Sequence, residues 1–107
     1  MIQITVYKDK DCYTGFRMLG HAGYAESGED IVCSAVSVLA INTCNAIESF
    51  TDEPFRLDTG EEDGWMELSF TEHPGYDAQL LMKTLVLGLQ SIADQYSAFI
   101  HFDIEEV

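Results

Sequence analysis

Apolar and polar residues alternate from the start of the chain. Between Ile2 and Lys8, the residues Ile2, Ile4 and Val6 share one parity, which predicts a half-buried strand. Asp9-Lys10-Asp11 predicts a turn, and Cys12 to Leu19 its hairpin partner. The pattern then breaks: Gly20, Gly23 and Gly28 lie among polar residues up to Asp30, a composition that predicts a flexible loop. From about Ile31 to Phe50 the period lengthens. Val32, Val36, Leu39, Thr43, Ala46 and Phe50 fall on one stripe at helical spacing, with Asp30 as the expected N-cap. Phe55–Thr59 and Trp65–Thr71 predict two more strands, joined by the acidic turn Gly60-Glu61-Glu62-Asp63-Gly64, and His73-Pro74-Gly75 ends the second. A second helix is predicted from about Asp77 to Tyr96, with Leu81, Leu85, Leu89 and Ile92 inward. Ala98 to Glu105 alternates again, with Ile100, Phe102 and Ile104 toward the core.

The predicted order is ββαββαβ. Hairpins separated by helices predict an α+β fold, a mainly antiparallel sheet with two packed helices. A length of 107 residues fits one domain spanning 1–107. A chain of this size buries roughly 65% of its unfolded surface, so the fold requires no disulfide or metal staple.

Charge and cysteines narrow the function. Nineteen acids against five bases give a net charge of −14. Nucleic-acid binding needs a basic face, so direct nucleic-acid contact is not expected. An acidic body attracts basic polypeptides and speeds their encounter. The segment Met1-Ile2-Gln3-Ile4 lacks a signal-peptide start, and the apolar run Ile31–Ile47 is interrupted by Cys, Ser, Asn and Thr. These features predict a cytoplasmic protein without a membrane span. Three cysteines, Cys12, Cys33 and Cys44, cannot all pair within one chain, which predicts free thiols in a reducing compartment. Their spacing holds no CxxC, and no metal or other cofactor is expected.

Candidate chemistry brackets the glycine-rich loop. His21 stands where a strand ends and Cys33 in the first turn of a helix. A loop that leaves a sheet and returns to it can bring these two side chains within hydrogen-bond reach. With Asp30 as cap, Cys33 is the third helical residue, where free N–H groups and the helix dipole favour a thiolate. An imidazole nearby would take the thiol proton, and the same N–H groups could stabilise an oxyanion. Asp30 and Glu29 oppose the thiolate electrostatically, so Asp30 is read as cap and histidine orienter.

The segments Gly20-His21-Ala22, Gly28 and Asp30-Ile31-Val32-Cys33-Ser34-Ala35-Val36-Ser37 resemble the signature of the ribosomal-processing cysteine proteases of Firmicutes and related bacteria. Ala78 to Gln90, ending at Tyr96, resembles the same family's second helix. The resemblance implies His21 as catalytic base and Cys33 as nucleophile, with Gly20, Asp30 and Ser37 in supporting positions. It implies a mobile loop over the site, with Ala22, Gly23, Tyr24 and Gly28 as substrate-binding residues. It also implies a homodimer. The implied substrate is a basic large-subunit ribosomal protein, relieved of a short N-terminal extension by cleavage after an aromatic residue. Phe16, Tyr24 and Tyr76 are candidates for the aromatic-binding pocket.

Other residues carry plainer expectations. Cys44 is read as packing, Trp65 as core, His73 as a turn residue and His101 as an exposed sheet residue. Two competing functions remain at this level: a non-catalytic acidic module that holds a basic ribosomal protein, and a thiol-dependent acyl-transfer or redox enzyme.

Overall fold

The computed structural model describes residues 1–20, 29–60 and 65–107. Its elements are β1 (Ile2–Asp9), β2 (Cys12–Leu19), α1 (Glu29–Phe50), β3 (Phe55–Gly60), β4 (Trp65–Phe70), α2 (Tyr76–Gln95) and β5 (Ile100–Glu106). The ββαββαβ order matches the hydrophobic pattern, and β2 has the predicted bounds. Residues 61–64 of the expected acidic turn lie outside the described residues.

The five strands form one sheet in the order β3-β4-β2-β1-β5. The pairs β1–β2, β2–β4 and β3–β4 are antiparallel, whereas β1–β5 is parallel. The sheet is therefore mixed, which corrects the expectation of a mainly antiparallel one. A parallel pair needs a long crossover, and α2 supplies it. The helix carries the chain from the end of β4 back to the other end of the sheet, so β5 enters beside β1 in the same direction, with Ile2 opposite Ile100.

Register decides which side chains are covered. Ile4 pairs with Met18, Val6 with Phe16, Phe16 with Leu68 and Ile2 with Ile100. All of these face the helices and are buried. The opposite parity holds Gln3, Arg17, Ser69 and His101, all exposed on an open sheet face. Trp65 shares that outer parity, since Met66 and Leu68 pair inward with Met18 and Phe16. It is half-buried beside Gly60 rather than part of the core, which corrects the expectation for this residue. His101 is exposed, as expected.

Helix α1 buries Val32, Val36, Ala40, Thr43, Cys44 and Ile47. By length and composition its segment Ile31–Phe50 could cross a membrane, but the inward residues join the same core cluster as β1 and α2. Leu39 and Ala46 are half-buried, and Phe50, expected on the core stripe, is 78% exposed at the last position of the helix. Helix α2 buries Ala78, Met82, Leu85, Val86 and Leu89. The helices meet closely at Gly88, where an added Cβ would lie 3.0 Å from Leu39 Cδ1.

Candidate active site

Strand β2 ends at Leu19, opposite Gln3 near the start of β1. Gly20 follows with a φ of 92°, and a Cβ there would lie 2.7 Å from the Met1 carbonyl oxygen. Only glycine accepts that backbone and that contact without strain. Gly20 therefore turns the chain out of the sheet immediately before His21.

Helix α1 begins at the same end of the sheet. Its far end delivers the chain to Phe55, which pairs with Phe70, and the neighbouring Ser69 pairs with Gly15 toward the opposite end of β2. The start of α1 thus lies toward the Leu19 end and its last turn toward the β1–β2 turn. Cys33 is half-buried and packs against the margin of the core. Ser37, one turn further on, is also half-buried.

The helix starts at Glu29. Asp30 is consequently its second residue and not its N-cap, whose backbone is non-helical. Two acids open the helix, a placement favoured by the positive end of its dipole. Cys33 becomes the fifth helical residue, just beyond the turn in which that dipole acts most strongly. The backbone of Asp30 is described, but its side chain lies outside what can be described. His21, Ala22, Gly23, Tyr24 and Gly28 lie outside the described residues, as does the expected closing loop up to Gly28.

All three thiols are free, but they differ in environment. Burial pushes the Cys44 thiol up from 9.0 to about 11, against a smaller lowering by a backbone hydrogen bond. This fits its reading as packing. Cys12 is half-buried, and its thiol is raised by desolvation, then by the negative charges of Asp9 and Glu53. Cys33 is thus the half-buried thiol at the start of α1. Among the described residues no three His, Cys, Asp or Glu side chains converge as a metal-binding group.

Two candidates for the aromatic-binding pocket are displaced. Phe16 is wholly buried in the core. Tyr76 opens α2 at the end of the molecule remote from Cys33. His73 lies in the connection before α2 and is exposed, as expected for a turn residue.

The family model described as Cysteine protease Prp matches residues 1–101. The chain is 33% identical over 101 residues to the ribosomal processing cysteine protease Prp of Bacillus subtilis, covering 90% of each chain. It is also similar to two crystal structures of an essential ribosomal processing protease Prp from S. aureus. The one in complex with a substrate peptide is 27% identical with a TM-score of 0.91, over 98% of this chain and 100% of that one. The one with a covalently linked product peptide is 28% identical with a TM-score of 0.87, over the same shares.

Proposed function

From the fact that the chain belongs to the Prp family of cysteine proteases, we propose that it removes a short N-terminal extension from a basic large-subunit ribosomal protein, with Cys33 as nucleophile and His21 as base. The chain is a cysteine protease by family, so the proposal concerns its substrate and the residues that act. The observation that carries the residue assignment is the half-buried Cys33 at the start of α1, at the sheet end where Gly20 turns the chain toward His21. The covalently linked product peptide in a relative is consistent with a nucleophilic route.

In this reading His21 takes the proton of the Cys33 thiol. The sulfur attacks the scissile carbonyl carbon, forming a C–S bond as the carbonyl π pair moves to oxygen. Collapse of the tetrahedral intermediate breaks the C–N bond, and His21 returns the proton to the leaving amine. Water, deprotonated by the same imidazole, then hydrolyses the thioester and releases the extension with a free carboxylate. Gly20 acts as a positioning residue for His21, and Asp30 and Ser37 as supports. Ala22, Gly23, Tyr24 and Gly28 would bound the bound peptide.

The net charge of −14 suits a basic substrate. We further read the protein as one domain over 1–107, acting in the cytoplasm as a homodimer, without direct nucleic-acid contact and without a cofactor. The test is incubation with a precursor ribosomal protein, followed by mass spectrometry. Wild type should shorten the precursor at a single position after an aromatic residue, and Cys33→Ala should leave it intact. Tight binding of the precursor without cleavage by wild type would overturn the proposal in favour of an acidic holding module.

A further inference from the structure

The end of the molecule remote from Cys33 carries a feature that catalysis does not use. Phe50 closes α1 and Tyr76 opens α2, and both line one cleft of about 420 Å³. They are 78% and 77% exposed, the highest values among the large apolar side chains of the described residues. Among the described residues, four acids, Asp52, Glu53, Glu72 and Asp77, line the same cleft and no basic residue does. Leaving large rings in water forgoes the free energy of their burial, so two such rings in one cleft call for an occupant.

The cleft is braced across distant segments. Glu53 Oε1 accepts a hydrogen bond from the Gly75 N–H at 2.6 Å. Thr51 Oγ1 accepts from the Glu53 N–H at 3.1 Å and donates to the Ile47 carbonyl at 2.6 Å. The Thr71 N–H donates to the Pro54 carbonyl at 3.3 Å. These bonds fix the walls before anything binds, which lowers the ordering cost of association.

We propose that this cleft is an exosite for the basic body of the protein substrate, taking lysine or arginine side chains between the Phe50 and Tyr76 rings and the acidic rim. Charge complementarity selects that occupant. Cations stack favourably on aromatic faces, and the carboxylates complete the recognition. The cleft's own lining, four acids and no base, would set like charge against like if two copies met through this same face. Seventeen residues of helix separate Cys33 from Phe50, about 25 Å at 1.5 Å per residue. An extended segment of about eight residues covers that span, so one substrate can hold the exosite with its body while its tail reaches Cys33. The inference rests on the function proposed above and adds to it a second contact outside the active site.

The test uses two substrates with the same scissile junction: a full-length basic ribosomal protein with its extension, and the junction peptide alone. Two variants are compared with wild type. Phe50→Ala/Tyr76→Ala removes the rings. Asp52→Asn/Glu72→Gln/Asp77→Asn removes charge at constant shape and spares Glu53, which holds Gly75. Each should lower kcat/KM for the full-length protein about tenfold, through KM, which corresponds to ~1.4 kcal/mol. Cleavage of the junction peptide should be unchanged, and the charge variant should also show a weaker salt dependence on the full-length protein. Equal loss on both substrates, or no loss on either with the charge variant, would overturn the exosite. So would a change in oligomeric state of the aromatic variant in sedimentation without substrate, which would make the cleft a contact between copies. Failure of wild type to cut either substrate would overturn the function itself, and the exosite with it.

Discussion

Helix α1 holds two thiols in contrasting settings. Cys33 sits half-buried near the start of the helix. Cys44 sits further along, 4% exposed, among the side chains that bind the helix to the sheet. The element and the residue type are the same, and position along the helix separates them. At Cys44 desolvation dominates and suppresses the thiolate. Cys33 lies nearer the surface at the Leu19 end of the sheet, where the proposed function places the base and the substrate. Under the proposed assignment, position along the helix decides which thiol reacts, and the second cysteine serves as an internal control for the first.

The sharpest way to break the comparison is to delete each thiol. Cys33→Ala should abolish cleavage and leave the thermal midpoint nearly unchanged, and Cys33→Ser should be almost as inactive. Cys44→Ala should behave in the opposite way, with full kcat and a loss of about 1 kcal/mol from a small core deletion, measured by urea unfolding. Similar activity losses in both variants would mean that packing, not chemistry, distinguishes the sites.

His21→Ala should cost nearly as much activity as loss of the thiol, because nucleophile and base act as a unit. It should also raise the pH at which Cys33 becomes reactive toward alkylation, while leaving the profile of Cys44 unaltered. An unchanged Cys33 profile would count against the pairing.

A smaller effect is expected at Gly20. Its φ of 92° and the 2.7 Å approach to Met1 leave no room for a side chain. Gly20→Ala should destabilise the fold by about 1–3 kcal/mol and lower kcat further by turning His21 away. Stability loss alone, with kcat intact, would show that Gly20 serves the sheet but not the histidine.

The smallest effect is the pH response of Cys44. Its folded thiol titrates near 11, above the usual 9.0, so the neutral form is the one the fold retains. The resulting stabilisation is fully present below pH 9.0 and is lost as pH rises toward 11. Wild type should therefore lose stability across this window more steeply than Cys44→Ala. Parallel curves would remove Cys44 from the account of alkaline unfolding.

The core was legible where one parity or one stripe is apolar throughout, as in Ile2, Ile4 and Val6 or Val32 and Val36. Trp65 was legible too, in principle. Met66, Leu68 and Phe70 alternate with Glu67 and Ser69, and Trp65 carries the polar parity. Its size suggested core where its register forbade it. The parallel pairing of β5 was not legible, because alternation is the same in parallel and antiparallel strands and only the return path of α2 decides. Asp30 was misplaced because a capping residue type also suits the first turn of a helix that starts earlier. Phe50 fits the helical period, yet the helix ends there, and a periodic position at a terminus has no sheet beneath it. At the site, the Gly20 turn and the contrast between Cys33 and Cys44 follow from structure. The pairing of His21 with Cys33 rests on their spacing and on the family.

The most direct test of the central claim, that Cys33 is the nucleophile, is the order in which iodoacetamide labels the three thiols at mildly acidic pH, followed by peptide mapping alongside activity. Cys33 should label first, with activity lost in step, while Cys12 and Cys44, raised by burial, lag behind. Full labelling of Cys33 with activity retained, or activity lost in step with Cys12 instead, would contradict it.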